Sequence, residues 1–146
     1  MKIFRCLALS ALLAMDVSGA TAQVKDGVLI RCGASAGHSF FFKDTAFDSS
    51  GIDWEEDGMT NGKIILVKLG DEWDIQFDDF FGSSGYRQDG AKVMMISNNT
   101  TLLTVGAFHT NYTDVYTFDF AYKVVAWSTN KIGPVPKVGA YLATCE

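Results

Sequence analysis

The stretch 62–79, Gly-Lys-Ile-Ile-Leu-Val-Lys-Leu-Gly-Asp-Glu-Trp-Asp-Ile-Gln-Phe-Asp-Asp, limits the fold more than any other part of the chain. Two β-rich runs flank Gly70-Asp71, and a Gly-Asp pair suits a two-residue type II′ hairpin turn, because glycine takes the positive φ without steric cost. With those two residues as the loop, Leu66 lies opposite Ile75, Ile64 opposite Phe77, and Lys68 beside Trp73. Each apolar cross-strand pair contributes roughly 0.2–1 kcal/mol. The second strand alternates strictly, with Trp73, Ile75 and Phe77 on one face and Asp74, Gln76 and Asp78 on the other. The first is apolar on both faces through Ile65 and Val67, so a one-residue slip of register stays open.

The rest of the chain repeats this grammar. Runs at 28–32, 38–43, 91–97, 101–109, 115–120, 124–128 and 138–144 read as short strands. Gly33-Ala34-Ser35-Ala36-Gly37 reads as a small-residue turn, and 44–62 and 78–89 as polar, turn-rich loops. The runs 91–97 and 101–109 form a second hairpin around Asn98-Asn99-Thr100. Both prolines, Pro134 and Pro136, fall in one connection, where they cost no ladder hydrogen bonds. After residue 22 there is no apolar period of 3.6 residues at helical length. The expected fold is therefore all-β, an antiparallel barrel or sandwich of about eight to nine short strands.

Residues 1–22 read as a signal peptide rather than structure. Lys2 and Arg5 form a positive start, 6–15 a short apolar run, and Ala20-Thr21-Ala22 a small-residue cleavage site. That run is too short for a membrane span of about 20 residues. The expectation is a single exported domain, 23–146, periplasmic or secreted, with no membrane span. Without Lys2, Arg5 and Asp16, ten Lys and Arg stand against sixteen Asp and Glu, a net charge of −6. An acidic domain without a basic stripe argues against nucleic acid and gains nothing at anionic membranes. It suits a cationic protein partner, or none. Cys32 and Cys145 remain, one near each end, and in an oxidising compartment they read as a disulfide. The same pair, placed on the first and last strands, would bring together the two edges of a closed barrel.

Residues with catalytic or ligating chemistry are few, and each has a plainer reading. Gly33-Ala34-Ser35-Ala36-Gly37 is a literal G-x-S-x-G, with His109 downstream. The nucleophile elbow needs a strand-to-helix turn, however, and His-Ser-Phe-Phe-Phe after Ser35 continues as a strand. Asp53, Glu55 and Asp57 imitate the start of a calcium loop, but Ile64 stands where an EF-hand requires its bidentate Glu. Asp78-Asp79 and Asp71-Glu72 are adjacent on strands and point to opposite faces. His38 and His109 show no zinc spacing. The aromatic residues either pack a β core or line a ligand cavity. Asn98, Asn99 and Asn111 open Asn-x-Thr sequons that matter only where secreted proteins are glycosylated.

A Cys in the first strand, Trp54…Asp57-Gly58-Met59…Gly62 before the hairpin, Asp89-Gly90-Ala91-Lys92-Val93, Tyr116-Thr117-Phe118, Trp127 and a near-terminal Cys together form a pattern. In it the chain resembles a group of small exported bacterial β-proteins without an assigned function. The resemblance implies the β fold and transfers no catalytic residue or cofactor. The segment Ser83-Ser84-Gly85-Tyr86-Arg87 loosely resembles a loop of disulfide-tied periplasmic barrels that block lysozymes. The functional expectation is a non-enzymatic exported domain. Its alternatives are a protein-binding inhibitor module and a small apolar-ligand carrier, with no cofactor implied.

Overall fold

In the computed structural model, residues 26–43, 53–79 and 82–146 are described. The signal-peptide expectation for 1–22 lies outside them. Everything is hung on one long strand, β1 (Gly27–Phe41). Its first part pairs antiparallel with β3 (Lys63–Leu69), its last part with the short β2 (Trp54–Asp57), and residues 32–41 pair with β10 (Lys137–Cys145). The register with β10 slips between Cys32 and Ser35, a bulge that lets the strand bend from one neighbour to the next.

From this spine the sheet runs outward both ways as antiparallel hairpins. On one side β3 leads to β4 (Glu72–Asp79) and β5 (Gly82–Gly85). On the other, β10 is followed by β9 (Val124–Lys131), β8 (Tyr112–Asp119), β7 (Leu102–His109) and β6 (Lys92–Asn98). The resulting sheet curls into a half-barrel that brings β4 up to β6. The fold is thus all-β and antiparallel, as expected, and a single curled sheet rather than a sandwich.

The hairpin has the register read from its turn: Leu66 faces Ile75, Ile64 faces Phe77 and Lys68 faces Trp73. Gly70 has φ +61°, and no positive φ falls on Asp71. Ile64, Leu66 and Ile75 are fully buried and meet Val105, Phe118 and Val125 from the opposite wall. Burying each such side chain stabilises the fold by about 1.5–3 kcal/mol. This apolar core fills one end of the half-barrel, and Cys32–Cys145 closes a disulfide within it.

Three expectations need correction. The disulfide does not join sheet edges: β1 and β10 are hydrogen-bonded neighbours in the middle of the strand order, and β5 and β6 lie at its ends. Residues 33–37 are not a turn but part of β1. Gly37 answers to crowding, since a Cβ there would stand 2.1 Å from the Ala140 carbonyl oxygen and 2.8 Å from the Tyr141 ring, whereas one on Gly33 would meet nothing within 4 Å. Finally, β2 and β5 lie in stretches read as loops, so the described residues hold ten strands. Glu-Glu-Asp and Gly-Ser-Ser-Gly have poor β propensity, and pairing with β1 and β4 supplies what propensity does not.

Candidate functional site

The other end of the half-barrel is open, and the register stacks its inward side chains in four cross-strand rows. Deepest is Phe118, Val125 and Ala143. Above it run Tyr116, Trp127 and Tyr141, continuing to Gly37 and Asp57. The third row is Asp114, Thr129, Gly139 and Ser39, and the outermost is Tyr112, Lys131, Lys137 and Phe41. The interior thus passes from aliphatic through aromatic to carboxyl and hydroxyl, and then to cationic at the rim. A cleft of about 700 Å³ opens over the upper rows, with Phe77, Met59 and Ser84 on its facing wall. That volume falls within the roughly 300–1,000 Å³ of small-molecule sites.

The aromatic row is a stack of rings standing on the sheet. Trp127 lies between Tyr116 (centroids 5.4 Å, planes at 17°) and Tyr141 (5.0 Å, 26°). These separations are close to the spacing of neighbouring strands, so the rings face one another along the sheet and turn their edges to the lumen.

Two polar networks brace this stack. In the first, Asp57 Oδ2 accepts hydrogen bonds from Ser39 Oγ (2.7 Å), Tyr141 Oη (2.7 Å) and Lys137 Nζ. Asp57 Oδ1 accepts the Gly58 N–H at 2.8 Å. Gly139 makes room for it: a Cβ there would stand 2.4 Å from Ser39 Oγ and 2.6 Å from Tyr141 Oη. Burial pushes the Asp57 carboxyl up, but the bonds from Lys137, Ser39 and Tyr141 outweigh it and hold the pKa at about 2. Lys137 is held above its usual value, burial being outweighed by Asp57 and Tyr141. Its ammonium also sits over the Phe41 ring, 5.2 Å from the centroid.

In the second network, Asp114, only 2 % exposed, accepts hydrogen bonds from Tyr86 Oη and Thr129 Oγ1. Tyr86 and Tyr116 share a further bond of 2.6 Å. Burial, with the Asp114 carboxyl beside them, pushes both phenols well above the usual tyrosine value. Tyr112 is pushed up to about 12 by burial and by the carboxylates of Asp89, Asp114 and Asp74. All three stay protonated over the physiological range, so each keeps a proton that it can donate.

The four residues singled out from sequence fare differently. Asp57 is at the centre of the site, as the partner of a lysine and two hydroxyls. Asp53 is exposed and caps the Trp54 N–H (2.9 Å), and Glu55 is exposed on β2. Among the described residues, no three His, Cys, Asp or Glu side chains gather as metal ligands. Ser35 lies at the margin of the cleft, where its Oγ accepts the Met59 N–H at 2.9 Å and its backbone exchanges two hydrogen bonds with Met59. It stands in an extended strand, not at an elbow. His38 is exposed on the other face of β1, and His109 stacks on Tyr112 with Nδ1 taking the Asn111 N–H.

Sequence reading missed Tyr86, Tyr112, Asp114, Thr129, Lys131 and Lys137 as site residues. Tyr86 reads as a loop residue, yet it is buried and anchors the second network. The usable signal was Gly37 and Gly139, since glycine inside a strand marks a close approach. No family model, curated protein or solved structure matches the chain. No helix among the described residues is long and apolar enough to cross a membrane.

Proposed function

We propose that this is an exported, non-catalytic binding domain that holds a small molecule in the open end of its half-barrel. One observation carries the reading: a cleft of about 700 Å³ lies over a braced aromatic row, with charged and hydroxyl groups converging at its rim. A scaffold already satisfied by its own hydrogen bonds needs little reordering on binding, and that is what makes a preformed site effective. Export is supported by the signal-like start and by a cysteine pair that closes in the fold. The non-catalytic reading is supported by the way the polar groups are used. Asp57, Tyr141, Tyr86 and Asp114 are committed to one another, and Ser35 to Met59.

The test is a thermal-shift screen of small amphiphiles against the protein and against Ser84→Trp. Ser84 faces the cleft opposite Phe77, so an indole there fills the space from an edge strand. Compounds that raise the wild-type Tm in proportion to concentration are expected to lose this effect in the blocked variant. Stabilisation that persists in Ser84→Trp, or no stabilising compound at all, would sink the reading.

A further inference from the structure

The rim of the cleft holds two hydrogen-bond donors that the fold leaves unspent. Among the described residues, Lys131 has no carboxylate within ion-pair distance, whereas Lys137 beside it is neutralised by Asp57. Tyr112 lines the cleft, and its Oη is a buried atom without a hydrogen-bond partner among the described residues. A buried hydroxyl left so is destabilising until something accepts its proton. Lys131 and Tyr112 are direct cross-strand partners on β9 and β8 and both line the cleft, so the two spare side chains leave the sheet at neighbouring positions. The phenol of Tyr112, raised by its burial and by the carboxylates around it, keeps its proton to give.

The ring stack decides what the rest of the ligand meets. Trp127 has Tyr116 on one face and Tyr141 on the other, so it offers no open face for a sugar or a planar cation to stack on. The lumen receives ring edges, the positive end of the aromatic quadrupole, and these favour a negative group. Phe77 and Met59 line the facing wall and suit an apolar body. The charge balance limits the head. Asp57, Asp79 and Asp89 outnumber Lys131 and Lys137 along the cleft, so the head is held by direct contact with Lys131 rather than by the overall field, and a doubly charged anion is excluded.

We propose that the cleft takes an amphipathic monocarboxylate, its head held at the rim between Lys131 and Tyr112 and its apolar body over the aromatic row against Phe77 and Met59. This rests on the cleft-binding reading and adds the chemical class of its occupant.

Titration calorimetry with decanoate, decanol and decyltrimethylammonium separates the terms, the three sharing one tail. Decanoate is expected to bind at least about tenfold more tightly than decanol, as a charge-assisted hydrogen bond allows. Lys131→Met is expected to remove that advantage while decanol binding stays unchanged. Tyr112→Phe is expected to weaken decanoate about fivefold without lowering Tm, since it deletes an unpaired group. A purely structural tyrosine would not divide affinity from stability in this way. Equal binding of decanoate and decanol in the wild type would overturn the carboxylate inference and leave the cleft reading standing. Preference for decyltrimethylammonium, or Lys131→Met binding decanoate like wild type, would also overturn it. Binding of none of the three overturns it too, and the compound screen with Ser84→Trp then judges the cleft reading separately.

Discussion

Asp57 shows how one side chain can be worth more than its sequence neighbours. It sits in a run of acidic residues, yet it alone of them lines the cleft, and it gathers Lys137, Ser39 and Tyr141 on one oxygen. Its folded pKa of about 2 lies below the usual 3.8. A carboxyl depressed on folding stabilises the protein above its unfolded pKa and loses that contribution as pH falls through the folded value. The window is therefore pH 4 down to 2. Because the group is partly solvated, the contribution is about 1 kcal/mol after screening. Thermal melts across that window should show a fall in Tm that Asp57→Asn lacks, and identical profiles would contradict the assignment. Asp114 is the buried counterpart. Asp114→Ala strands the Tyr86 and Thr129 hydroxyls and should cost about 3 kcal/mol, against about 0.5 kcal/mol or less for the exposed Asp53→Ala. Equal losses by denaturant titration would mean that the second network carries no stability.

Among the elements, the hairpin was legible and the rim was not, for the same physical reason. β4 alternates strictly in hydrophobicity, and the turn before it has the one residue that its φ demands, so local pattern and fold agree. β8 reads from Val115 by its alternation, yet it begins at Tyr112. β9 reads as ending at Ser128, yet it runs to Lys131. Of the residues added, Tyr112, Asp114, Thr129 and Lys131 face a lumen that is polar at this end, and polar residues inside erase the alternation by which strands are recognised. Such violations concentrate at sites. The sequence splits β1 in two because its small residues imitate a turn, when Gly37 is small to let the Ala140 backbone and the Tyr141 ring come close. Gly37→Ala should therefore destabilise by about 1–3 kcal/mol through overpacking. Ser35→Ala should cost about 1 kcal/mol for the lost bond to Met59, without affecting any esterase assay. A Gly37→Ala protein as stable as wild type would mean that the approach of β10 is looser than described.

Across the whole molecule, the disulfide and the cleft divide the half-barrel between them. Cys32–Cys145 ties the two strands from which both arms of the sheet extend, and it closes a loop across a sequence separation of 113. Chain entropy sets its contribution at roughly 4–5 kcal/mol as an upper figure. The end that it closes is the one packed with aliphatic side chains, which leaves the opposite end free to stay open and polar. The central claim, that this open end holds an amphipathic monocarboxylate, is tested most directly by amide and indole chemical shifts during a decanoate titration of the ¹⁵N-labelled protein. The account predicts saturable shifts at Lys131, Tyr112, Met59 and the Trp127 indole, with the outward-facing Ala126 and Leu142 unmoved. Shifts centred on Ala126 and Leu142, or none that saturate around the cleft, would contradict it.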